Sequence, residues 1–394
     1  MTQLIPFFII LFVGIFFAEV FKRLHLPWIL ALILGGMFVG PYALDIFQPN
    51  ETIEFISQIG LIFLMFMAGL ETKFSIFKEQ RKQIIELAAL NGVIPLIAGV
   101  GLGILLGLDL IPSLFIGIVF VSSSVSIAIP SLEDSGIIGT KMGRSIVATT
   151  IVEDVFSLIL LSLLLQSIDP VSALPLPIFY LMLFAILFIL RWAIPKIMWV
   201  FRSDKKFGED LFQQEIRIIF TILIGTVIIF ELLGLHPIIA GFFAGLVLSD
   251  FIKSDILLGK IRTLSYGIFV PTFFVVIGTK TNLGVFGSVE GALIITFIII
   301  TVSILAKFGS GFLGGRILGF NKNESIVIGA STIPQLSTTL AVVATGEVLG
   351  FLTPELVTAM VILSIVTTFV GPFIIKLKSK KLDVLNESSP IKSE

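Results

Sequence analysis

The chain has 394 residues, 56% hydrophobic and 13% charged, with a formal net charge of −1 and a mean hydropathy of +1.10. So much apolar side chain excludes a water-exposed globular surface, and the absence of cysteine excludes disulfides, thiol catalysis and cysteine metal sites. No cofactor and no nucleic-acid partner are expected.

Apolar blocks of about twenty residues recur along the chain, the length that crosses a bilayer core of roughly 30 Å at about 1.5 Å of helical rise per residue. They lack the alternation of barrel strands and read as helices. In chain order the expected spans are 3–21, 26–43, 54–71, 84–107, 111–130, 145–167, 172–195, 215–234, 237–251, 264–281, 291–315, 324–346 and 355–376. This is an all-α membrane protein of thirteen transmembrane helices, with a transmembrane domain over 1–378 and a short cytoplasmic tail, 379–394. The first block, Leu4 to Val20, lacks a basic start and a small-residue cleavage site and reads as a retained helix. His25 and His236 stand too far apart in sequence to form a metal centre of their own.

Lysines and arginines collect on the cytoplasmic side of short loops, which tests the count independently. They follow every odd-numbered span: Lys22 and Arg23; Lys73, Lys78, Arg81 and Lys82; Lys141 and Arg144; Arg202, Lys205 and Lys206; Lys253, Lys260 and Arg262; Arg316 and Lys322; Lys376, Lys378, Lys380 and Lys381. The opposite loops carry Asp45, Glu51, Asp109, Asp169, Glu347 and Glu355, with Lys280 as the one basic residue. The N-terminus is expected outside and the C-terminus in the cytoplasm.

The sequence also repeats. LPWILALILGGMFVGP, from residue 26, resembles HPIIAGFFAGLVLSD, from residue 236, with Pro27 and Gly35 falling on Pro237 and Gly245. In the next spans Gly69, Glu71 and Thr72 answer Gly278, Lys280 and Thr281. Repeats over about 1–167 and 215–376 place equivalent helices seven spans apart, so the halves are inverted in the membrane, the arrangement of secondary transporters.

Few ionisable groups interrupt the apolar spans, and each costs roughly 2.5–3.5 kcal/mol or more at a helix centre. Glu153 and Asp154 lie nine and ten residues past Arg144, and Lys307 lies nine residues before Arg316. Both sites therefore sit roughly 14 Å inside the cytoplasmic boundary, where acids and lysine can meet. Adjacent helical residues point about 100° apart, so one carboxylate can face Lys307 and the other a water-filled cavity. A structural ion pair accounts for one acid; the second needs reversible binding of a proton or cation.

Helix breakers fall at the same depth. Ser122, Ser123, Ser124 and Ser126 precede Pro130 in span 5, and GASTIPQLSTTLAV places Pro334 and Gln335 in span 12. A simple proline kink is the bland alternative. Interrupted helices, with Ser123, Pro130, Pro334 and Gln335 at the breaks, would present freed carbonyls and dipoles able to bind a dehydrated cation. Asp154, Glu153, Ser124, Ser126 and Thr150 are the candidate cation and proton ligands.

In the order GLIFLMFMAGLE, SSSVSIAIPSLEDSGIIGTKMGRSIVATTIVEDV, PTFFVVIGTKTNL, AKFGSGFLGGR and ESIVIGASTIPQLSTTLAVVATG, the chain resembles the monovalent cation/proton antiporter family in its Kef-type, NapA-like branch. The resemblance implies a NhaA/NapA-like fold with two crossed broken helices in spans 5 and 12. It implies a homodimer in the bilayer of a prokaryotic cell, with a dimerisation bundle beside a mobile core of spans 4–6 and 11–13. It also implies that Asp154 is the main carboxylate and that Glu153 pairs with Lys307. Glu153 departs from the family's usual Asp or amide, and Gln335, Leu336 and Ser337 stand where some relatives carry Arg-Gly-Glu. The short tail leaves no room for the nucleotide-binding domain of many Kef-type potassium systems, which favours Na+ or Li+ over K+. The expected function is exchange of Na+ for H+ by alternating access, in the service of pH homeostasis. The alternatives are a K+/H+ antiporter and a Na+-coupled symporter of organic anions, which would leave the acid pair facing a lysine unexplained. No GxSxG, HExxH or P-loop pattern is present, so an enzyme is not expected.

Overall fold

The computed structural model describes residues 4–23, 27–71, 81–168, 214–232, 237–249, 252 and 254–387, with single helical positions between 181 and 196. Every regular element among them is a helix: α1 Leu4–Arg23, α2 Trp28–Val39, α3 Glu51–Glu71, α4 Arg81–Leu105, α5 Leu110–Val121, α6 Val125–Asp134, α7 Lys141–Ile168, α8 Gln214–Leu232, α9 Pro237–Leu248, α10 Asp255–Leu264, α11 Val270–Lys280, α12 Val285–Ser288, α13 Ala292–Ile317, α14 Lys322–Thr332, α15 Ser337–Val348 and α16 Pro354–Glu387.

Among the described residues nine stretches are long and apolar enough to cross a membrane, and all nine coincide with expected spans. Two of them, Leu110–Asp134 and Lys322–Val348, are each assembled from two shorter helices. Expected spans 26–43 and 237–251 hold the shorter apolar helices Trp28–Val39 and Ile239–Leu248, and 215–234 holds α8. The expected span 172–195, both histidines, the loop charges Lys73, Lys78, Asp169, Arg202, Lys205, Lys206 and Lys253, and the last residues 388–394 lie outside the described residues, apart from single helical positions within that span. One boundary is corrected. Lys260 and Arg262 belong to α10, which Ser254 caps by accepting from the Leu257 N–H at 3.3 Å and which a π-helical turn, Ser265–Phe269, joins to α11.

The chain divides into two compact units, Met1–Lys73 with Ser162–Lys280 and Phe74–Leu161 with Thr281–Glu394. In the first, α3 packs on α9 and α2 on α11. Glycines permit both approaches: a Cβ on Gly245 would stand 2.1 Å from the Phe66 carbonyl oxygen, and one on Gly278 would stand 2.1 Å from that of Ile33. Their facing partners are Gly69 and Gly36, with 3.0 Å separating each built Cβ from the partner Cα.

In the second unit α4 packs on α5 and α13, and α14 on α13 and α16. Asn321 opens α14 with a capping box: its side chain accepts from the Glu324 N–H at 2.9 Å, and the Glu324 carboxylate accepts from the Asn321 N–H at 2.8 Å. Leu87, Leu132, Met142, Ile146, Val327, Ile328 and Ile375 are buried together on the side toward that cap. Above them, in the same unit, the apolar core gives way to hydroxyls, an amide and three charges.

Candidate functional site

Two helices lose their backbone ladder in the second unit. The α5 helix stops at Val121, Ser122 and Ser124 are extended, and α6 starts at Val125. The α14 helix stops at Thr332, and α15 starts at Ser337 after Pro334 and Gln335. The serine run suits the first gap, because the Ser122 and Ser123 hydroxyls take up the Val119 and Thr332 carbonyls that the ladders no longer reach. Pro334 suits the second, having no N–H to carry the ladder past the end of α14.

The gaps are tied to each other. The Ser124 N–H donates to the Pro334 carbonyl at 2.7 Å, and Ser123 Oγ donates to the Thr332 carbonyl at 3.2 Å. Ser122 and Thr339 share a hydroxyl–hydroxyl bond, and Gln335 Nε2 donates to the Phe120 carbonyl at 3.2 Å. Pro130 needs correction as a break residue. It lies inside α6, and the chain leaves the helix eight residues earlier at Ser122, where serine bonds and the facing gap replace the lost ladder.

Glu153 and Lys307 meet. Lys307 Nζ donates to Glu153 Oε2 at 2.7 Å and to the Val121 carbonyl at 2.9 Å, with both side chains fully buried. Glu153 Oε2 shares the single Ser123 hydroxyl proton with the Thr332 carbonyl. The ammonium thus neutralises a carboxylate and satisfies the last carbonyl of α5, where the helix dipole concentrates negative charge.

Asp154 is different. It is buried to 7% exposure, takes part in no salt bridge among the described residues, and its Oδ1 accepts no hydrogen bond. The Thr338 hydroxyl and the Ser123 N–H are turned toward its carboxylate. The other expected ligands are less direct. The Thr150 hydroxyl is donated to its own helix, to Ile146 at 2.9 Å, which leaves only its lone pairs; exposed Ser126 bonds the Ser124 hydroxyl at 3.0 Å.

Sequence reasoning missed Ser303, Thr332, Thr338, Thr339 and Thr367. Ser303 Oγ donates to Gln335 Oε1 at 3.2 Å, and the Gln335 N–H donates to Thr367 Oγ1 at 3.3 Å. Ser303 stands four residues before Lys307, on the same face of α13, and that spacing was available as a signal. Thr367 carried none, because only packing brings α16 to the gap.

Among known proteins, the chain matches the family described as "Sodium/hydrogen exchanger, transmembrane" over residues 7–380. It is 32% identical to the "Probable Na(+)/H(+) antiporter 3" of Methanocaldococcus jannaschii, over 94% of this chain and 95% of that one. It is 28% identical to the "Na(+)/H(+) antiporter" of Enterococcus hirae, over 93% and 95%. Among solved structures, the sodium proton antiporter MjNhaP1 of Methanocaldococcus jannaschii superposes with a TM-score of 0.70 at 19% identity, covering 96% of each chain, a likeness of fold.

Proposed function

The chain belongs to the sodium/hydrogen exchanger family, and from that premise we propose that Asp154 is the carboxylate that Na+ and H+ occupy in turn. The protein is a secondary antiporter, exchanging Na+ for H+ across a membrane. One observation carries the assignment of the site: of two adjacent buried acids, Glu153 holds the lysine directly, and Asp154 makes no ion pair among the described residues. A buried carboxylate without a partner charge is costly, and a bound proton or a bound cation each removes that cost. Both ligands are small and positive, and either excludes the other from the same oxygens, so competition at one residue is sufficient for exchange.

The surroundings support this role. The interrupted spans 5 and 12 read as crossed broken helices, with the Ser123 N–H in the first gap and the Thr338 hydroxyl in the first turn of α15 turned toward the carboxylate. The inverted repeat has support of its own, because span 3 packs on span 9 while span 10 packs on span 2. Each repeat thus lends its third helix to the second helix of the other. By these contacts the packing equivalent of Gly245 is Gly36, one residue beyond Gly35. We take the full count as thirteen spans with the N-terminus outside, in a prokaryotic cell membrane, and the protein as a homodimer. The unit Phe74–Leu161 with Thr281–Glu394 is read as the mobile core of spans 4–6 and 11–13.

The test is dissipation of a pH gradient in proteoliposomes on adding Na+, Li+ or K+ in turn. The wild type is expected to respond to Na+ and Li+ and not to K+, and Asp154→Asn to none of them while keeping its fold. Exchange at the wild-type rate in Asp154→Asn overturns the assignment.

A further inference from the structure

The fully buried Gln335 is bonded in three directions, and neither acid is among its partners. Its amide nitrogen donates to the Phe120 carbonyl at 3.2 Å and its amide oxygen accepts from Ser303 at 3.2 Å. Its main-chain N–H is fixed on Thr367 at 3.3 Å. Phe120 precedes Val121, whose carbonyl takes the second bond of Lys307 at 2.9 Å. Ser303 and Lys307 lie one turn apart on α13. The end of α5 is therefore joined to one face of α13 twice, once through the charged Lys307 and once through the neutral chain Ser303–Gln335–Phe120.

We propose that Gln335 is a positioning residue for the exchange reaction, holding the end of α5 against α13 so that the Val121 carbonyl and the Glu153 carboxylate face the Lys307 ammonium together. The proposal rests on the reading of Asp154 as the exchanging carboxylate. An amide suits the task for an electrostatic reason. During exchange the charge state of Asp154 changes, and a link that carries no charge keeps its strength through each change, whereas an ionic link would gain or lose with it. An amide is also both donor and acceptor, which the span from a serine hydroxyl to a carbonyl requires.

The link predicts a specific pattern. Gln335→Leu removes both side-chain bonds while nearly keeping the volume. The maximum rate of Na+-driven proton release in proteoliposomes is expected to fall about tenfold, the effect of losing bonds of ordinary strength on a rate-limiting arrangement. The Na+ concentration at half-maximal rate is expected to stay within about twofold, because the bonds of Gln335 go to Ser303, Thr367 and Phe120 and not to Asp154. Ser303→Ala breaks the same chain at its other end, so it should lower the rate less than Gln335→Leu and add nothing to it in the double variant.

A second measurement needs no transport. Lys307→Ala is expected to lower the melting temperature in the wild type, and by less than half as much in the Gln335→Leu background, where the Val121 carbonyl is no longer held in place. A wild-type rate in Gln335→Leu overturns the proposal. So does a weakening of Na+ affinity as large as the loss of rate, which makes Gln335 a ligand, and so do independent effects of Gln335→Leu and Ser303→Ala. If Gln335→Leu does not fold, Ser303→Ala carries the same rate and melting comparisons. Persistent exchange in Asp154→Asn counts against the carboxylate assignment alone, because the melting comparison still reports on the Gln335 link.

Discussion

Without the Lys307 ammonium, Glu153 would be left as a fully buried charge with a serine hydroxyl as its remaining donor. Breaking a buried pair from one side costs about 3–5 kcal/mol, because the surviving charge stays out of water. Lys307→Ala is therefore expected to lower thermal stability sharply, and Lys307→Ala combined with Glu153→Gln to recover part of the loss. Melting of the four proteins in detergent checks this, and additive losses would mean that the pair does not act as one unit. Asp154 calls for a different measurement. Because H+ and Na+ compete for it, acidification should raise the Na+ concentration needed for half-maximal exchange, with the maximum rate recovered at saturating Na+. A maximum rate that falls with pH at every Na+ concentration would place the proton elsewhere.

At the scale of elements, the close helix pairs and the two gaps make separate demands. A methyl group on Gly278 has a carbonyl oxygen 2.1 Å away and no flexible side chain to displace. Gly278→Ala must push α2 and α11 apart, at about 1–3 kcal/mol as for other overpacked sites, and a drop in melting temperature will show it. Gly287→Ala, a site with open space around the added atom, is the control and should melt like the wild type. The glycine positions were visible in the sequence as repeated motifs. Their pairing across repeats was not, since a motif shows that two helices are alike and says nothing of which one packs on which. The gap in span 5 was legible as a serine run, yet Pro130 drew the break too far along. A proline inside a short helix removes one backbone bond, whereas the real interruption needed a second gap opposite to take up its donors and acceptors.

For the whole molecule, the distribution of lysine and arginine predicts that the C-terminus faces the cytoplasm. A tag after Glu394 should resist protease added to intact cells and be cut once the membrane is permeabilised; cleavage in intact cells would reverse the orientation. Hydrophobic block length and that charge alternation came from the sequence alone, because bilayer thickness and loop charge act on a chain locally, helix by helix. The sequence alone also showed that Glu153, Asp154 and Lys307 share one depth, since helical rise converts spacing into distance. It was the tertiary structure that decided which acid takes the lysine, that the Val121 carbonyl takes its second bond, and that Gln335 joins Ser303 to Phe120. Those contacts join residues from 32 to 215 positions apart, and no local rule of spacing reaches across helices that packing alone brings together.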